Sequence, residues 1–223
     1  MVEGTLDRGA TITSVPAARV SIIAAVSVVL LLAVLHLLSP EFDAAWRMVS
    51  EYALGGYGWV LSLMFISWAI SSWALAYALR GRVRTGGGRA GLIFLVASGV
   101  GEAMAAAFDV KHGLHGAAAL IGIPTLPVAA VLISTSLARN QTRPAAGKAL
   151  FVTAALTWVG IISMAAAVIV MFNGLSKAGG QMTPEVIAVS GYANRFLIVS
   201  YCAWIVTAAR EATRAAGSPP ADY

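Results

Sequence analysis

Charge is what this chain has least of. Only 11% of its 223 residues are Asp, Glu, Lys or Arg, against roughly a quarter in an ordinary soluble domain, and that scarcity excludes a soluble fold of the usual composition. Cysteine is nearly absent as well. Cys202 stands alone, so neither an intrachain disulfide framework nor a cysteine metal cluster can be built. No lysine lies in the middle of an apolar stretch, which excludes a lysine Schiff base to a chromophore inside a membrane bundle. Hydrophobic residues fill the chain instead, at 59% with a mean hydropathy of +0.81.

Six windows are long and apolar enough to cross a bilayer, at about 19–39, 58–80, 90–108, 115–138, 149–172 and 185–208. Each is near the ~20 residues that a hydrocarbon core requires. The expected fold is all-α, a polytopic bundle of six transmembrane helices, with a tail over 1–18, the membrane domain over 19–208 and a second tail over 209–223. The apolar run at 20–38 outlasts the ~7–15-residue core of a signal peptide and ends in His-Leu-Leu-Ser-Pro, so it reads as a retained first span. Basic residues set the orientation: eleven fall in the termini and in the second and fourth loops, and only Arg47, Lys111 and Lys177 on the other face. The positive-inside rule then places both termini in the cytoplasm. The net charge of +5 belongs to these flanking anchors beside anionic lipid, not to a nucleic-acid surface. Twelve Arg against three Lys, with abundant Ala, suggests a bacterial source of high GC content.

The loops carry further signals. Ser39-Pro40-Glu41 reads as a helix start and Gly55-Gly56 as a stop. Between them Phe42, Ala45, Trp46, Val49 and Ala53 recur at helical spacing, predicting a short amphipathic helix on the outer surface, with Asp43 and Arg47 paired at i,i+4. Thr183-Pro184-Glu185 reads as a capped start of the sixth span. Pro124 and Pro127 free backbone carbonyls within the fourth span, which neighbouring helices must satisfy. Ala97-x-x-x-Gly101 and Gly99-x-x-x-Ala103 give the third span small faces for close packing, suggesting that it is central.

Two full charges, Glu102 and Arg195, lie well inside spans, where each costs roughly 2.5 to 3.5 kcal/mol. Helical rise puts Glu102 ~18 Å and Arg195 ~20 Å above the inner ends of their spans. Equal depth predicts a structural ion pair. His36, Asp109 and His115 also fall in the outer half, with Glu51 placed to fold over them, and such a gradient of polarity suits a cavity opening outward. Two histidines, His112 and His115, with Asp109 or His36, offer a catalytic-zinc alternative, but His-Gly-Leu-His is no fixed signature, and neither a metal nor another cofactor is assigned.

Three segments together resemble a known pattern: Ser50-Glu51-Tyr52-x-x-Gly55 before the second span, Phe108-Asp109 followed by His112-Gly113-Leu114-His115, and Gly191-x-x-Asn194-Arg195 in the sixth. They resemble the family labelled "domain of unknown function 998", multi-pass prokaryotic membrane proteins, over about 20–208. The resemblance implies Glu51, Asp109, His115 and Arg195 as ligand-binding residues and implies no activity. The expected function is an integral membrane protein with an outward-facing polar pocket that binds or moves a lipid headgroup or small polar ligand, Arg195 supplying an anion contact. A membrane-embedded hydrolase acting on outer-leaflet lipid through Asp109 and His115 is one alternative. A structural or accessory subunit without a ligand is the other.

Overall fold

The computed structural model describes residues 3–139, 144–177 and 190–216. Among them are six long helices, α1 (Glu3–Leu38), α2 (Gly58–Leu79), α3 (Gly86–Ala107), α4 (His115–Ala138), α5 (Pro144–Lys177) and α6 (Ser190–Ala216), and a short 3₁₀ helix at Val49–Leu54. No strand occurs among the described residues. Five helices contain stretches long and apolar enough to cross a membrane: Val15–Leu38, Gly58–Leu79, Gly86–Ala107, His115–Ala138 and Ala145–Gly174. Their outer sides leave Ile23, Leu30, Ile93, Leu120, Ile162 and Phe172 exposed, which suits hydrocarbon and not water. The sixth helix is not among the five. It carries Arg195, Arg210 and Arg214, yet it buries Leu197, Tyr201, Trp204 and Ile205 against its neighbours. The Thr-Pro-Glu start expected for it lies outside the described residues.

Each helix packs on the next in sequence, and α6 closes the ring against α1. The short connections at 80–85 and 108–114 make α2, α3 and α4 antiparallel neighbours. The third helix is not the centre: it packs chiefly on α2 and α4, whereas α6 touches α1 and α5 and reaches α2 and α4 across the middle. Small residues still matter as expected in α3, because they let it approach α4 closely. A Cβ built on Gly101 would lie 2.5 Å from Gly122 Cα and 2.7 Å from Ala118 O. No side chain there can move aside.

Polar side chains tie the helices where water is excluded. Ser21 Oγ of α1 donates to Ser71 O of α2 at 2.9 Å, and Trp204 Nε1 of α6 donates to Ser134 Oγ of α4 at 3.1 Å. Pro127 has no N–H for the carbonyl of Ile123 one turn earlier, and Tyr201 Oη of α6 donates to that oxygen at 2.7 Å. The freed carbonyl thus becomes a link between helices. At the arginine-rich end, Arg82 NH1 donates to Glu211 O of α6 at 3.2 Å, and partial burial draws its pKa below the usual arginine value.

Residues 39–48 do not form the expected surface helix. They run through turns, and only Val49–Leu54 is helical, with 3₁₀ geometry. The reason is where the backbone groups go. Asp43 Oδ1 accepts from Ala45 N at 2.8 Å, and the carbonyls of Ala45, Trp46 and Arg47 are spent on α6. Arg47 pairs with Glu51 at 3.1 Å, not with Asp43, and lies 4.3 Å over the Trp46 ring.

Candidate functional site

The first turn of α6 leaves backbone N–H groups without intrahelical partners, and the 39–48 loop fills that need. Gly191 N and Tyr192 N donate to Ala45 O at 3.0 and 3.3 Å, and Ser190 Oγ donates to Trp46 O at 2.8 Å. Asn194 Oδ1 accepts from Val49 N at 2.8 Å. A Cβ at Gly191 would lie 2.8 Å from both Arg47 O and Trp46 N, so this close approach requires glycine. The Gly191-x-x-Asn194-Arg195 motif is therefore a fastening for the loop.

Arg195 is its centre and is 9% exposed. Its Nε donates to His36 Nε2 at 2.6 Å, NH1 to Arg47 O at 2.8 Å and Gly191 O at 3.0 Å, and NH2 to Tyr52 Oη at 3.1 Å. These bonds use four of the five guanidinium N–H groups. His36 Nδ1 lies 2.6 Å from Leu32 O, an acceptor only, so Nδ1 carries the proton and Nε2 is free to accept from arginine. Glu51 belongs to the same assembly. Its Oε2 accepts from Met48 N at 2.9 Å while its Oε1 holds Arg47.

The expected ion pair is not formed: among the described residues no salt bridge joins Glu102 to Arg195. Helical rise gives only a height along a helix and says nothing of the direction in which a side chain leaves it. Glu102 instead meets the hydroxyls of Ser72 at 3.0 Å and Ser98 at 3.1 Å. Ser98 is four residues earlier on the same face of α3, a spacing visible in the sequence.

Between α2, α3, α4, α5 and α6, beneath the 3₁₀ helix, lies a cavity of about 210 Å³. Its walls are mainly apolar, with Phe65, Trp68, Ile123, Met164 and Leu197 among them, and its polar members are Ser50, Glu102, His115, Asn194 and Tyr201. Of the four residues expected to bind ligand, only His115 lines it. Its Nδ1 lies 2.9 Å from Phe108 O, which again assigns the proton to Nδ1 and leaves Nε2 as an acceptor. Arg195 and Glu51 are engaged in the loop fastening. Asp109 is exposed on the α3–α4 turn and accepts from Lys111 N at 2.9 Å, with no bond to His115. Among the described residues no group of three or more His, Cys, Asp or Glu could hold a metal. The sequence reading missed Trp68 and Tyr201; a tyrosine hydroxyl within the sixth apolar window was the available signal.

Apolar helices of spanning length, lipid-facing on the outside and enclosing a cavity, define a multi-pass helical membrane protein. More particularly, the chain belongs to the family described as "Protein of unknown function (DUF998)", whose family model matches residues 22–211. No curated protein and no solved structure matches the chain.

Proposed function

We propose that this membrane protein binds one small amphiphilic molecule in the cavity among its helices. The observation that carries the reading is the wall: mainly apolar, with a few polar groups gathered from α3, α4, α6 and the loop, the usual composition of a small-molecule site. An anionic headgroup held by Arg195 is not favoured, because that guanidinium is already committed to His36, Tyr52 and two carbonyls. Bromobenzene tests the reading, since its heavy atom quenches a nearby indole and Trp68 lines the cavity. The protein in nanodiscs should show saturable quenching. Ala119→Phe, which puts a ring into the space, should weaken that component about tenfold or more, equivalent to ~1.4 kcal/mol, with melting unchanged. Equal quenching in both proteins would refute the cavity as the site.

We infer also that α6 completes six crossings, that both termini are cytoplasmic and that the 39–57 loop lies outside. The distribution of eleven basic residues against three supports this. Gly81 and Gly113 have open space at their Cβ positions, and Cys202 is buried. In intact cells an impermeant maleimide should label Gly113→Cys, and should reach Gly81→Cys only after permeabilisation. The opposite pattern would invert the topology.

A further inference from the structure

Glu102 is 5% exposed and lines the cavity. Ser72 Oγ donates to its Oε2 at 3.0 Å, and Ser98 Oγ lies 3.1 Å from Oε1 and 3.0 Å from Gly122 O. A serine hydroxyl has one proton, and a backbone carbonyl can only accept. The contacts form a complete directed chain when the carboxyl itself holds a proton: Ser72 donates to Oε2, Oε1–H donates to Ser98, and Ser98 donates to Gly122 O. No Arg, Lys or His among the described residues forms an ion pair with Glu102.

Beside this carboxyl the wall is aromatic. Phe65 and Trp68 stack with centroids 6.4 Å apart, and Tyr201 meets Trp68 edge-on at 6.0 Å. The ionisable groups facing Glu102 are His115 of α4 and Tyr201 and Cys202 of α6; α2 presents Ser72, α5 presents Met164, and the loop presents no ionisable group. An anion would meet a carboxyl and no uncommitted guanidinium. A hard metal cation would need a shell of oxygens, which these apolar walls do not supply. A lipophilic organic cation fits both features, pairing with a carboxylate and lying against aromatic faces.

We propose that the cavity takes up an organic ammonium ion in exchange for the proton of Glu102. The carboxyl O–H bond breaks, the proton leaves to water, and the carboxylate pairs with the entering ammonium. The cavity is neutral before and after, so no unpaired charge is left in the low-dielectric interior. This inference rests on the cavity being the binding site, and the test separates the two.

The probes are benzyltrimethylammonium and its uncharged isostere neopentylbenzene, in which carbon replaces the quaternary nitrogen. Each is titrated against saturable bromobenzene quenching of the full chain in nanodiscs. The wild type should bind the ammonium with release of about one proton per ligand into weak buffer, and its affinity should rise about tenfold per pH unit on the acid side. Glu102→Gln preserves both hydroxyl contacts by imitating the protonated acid. It should bind the ammonium at least about thirtyfold more weakly, equivalent to about 2 kcal/mol, because the carboxylate partner is gone while the aromatic faces remain, and it should retain the isostere. Ammonium binding that is equal in the variant, or that releases no proton, would overturn the exchange. Binding of the isostere alone by the wild type would overturn it too and leave the cavity reading standing. Displacement by neither probe would overturn the cavity reading, and this inference with it.

Discussion

Arg195→Ala should destabilise the protein by roughly 2 to 4 kcal/mol and free the 39–48 loop from α6. Two acceptors lose their donor, Arg47 O and His36 Nε2, both in half-buried positions, at about 1 to 3 kcal/mol for each group left unsatisfied. Gly191 O and Tyr52 Oη retain other options, the first within its helix and the second by rotation. Arg195→Lys should recover less than half, because a single ammonium cannot reproduce the planar fork that spans an imidazole, a phenol and two carbonyls. Unfolding in a graded detergent series would give the stability, and a red shift in Trp46 emission would report the loop. The same measurement separates the structure from the ion pair expected on depth alone. Combining Arg195→Ala with Glu102→Gln should give an additive loss, within the ~0.5 kcal/mol scatter of independent sites. A coupling well above that would show the two charges interacting.

Gly101→Ala should cost on the order of 3 kcal/mol, the upper range for overpacking, although alanine is by itself the better helix former by about 1 kcal/mol. Its Cβ would overlap the backbone of Gly122 and Ala118, and backbone on a rigid helix cannot rotate away. Gly122→Ala should be nearly neutral or slightly stabilising, because its Cβ meets nothing closer than 3.5 Å. The two glycines face each other, so a simple rule about small residues would rank them equally. Thermal unfolding of the two variants side by side decides between that rule and this geometry; similar melting temperatures would show that α3 and α4 have room to separate.

The sequence by itself determined the class, the helices and much of their chemistry. Low charge and apolar runs of bilayer length leave only helices as a way to satisfy the backbone, so the spans were legible, as were the small face of α3 and the need for a neighbour at the proline-freed carbonyls of α4. Three motifs were also legible as a family pattern, and two of them meet: Tyr52 of the first accepts from Arg195 of the third. The sixth helix was less plain, because it carries exposed Arg210 and Arg214 at one end, while Arg195 is covered by neighbours that composition does not count. Tertiary structure alone decided the rest. Rise along a helix converts residue number into height, but which way a side chain points depends on the order of helices around the ring, so Glu102 meets Ser72 and Ser98 while Arg195 meets His36, Tyr52 and two carbonyls. A loop with helical periodicity became a cap, because the unfilled N–H groups of α6 and the guanidinium of Arg195 drew its carbonyls away from a helix of its own. The cavity exists only in the closed ring, where side chains from five helices and the loop face one space that no local pattern in the chain describes.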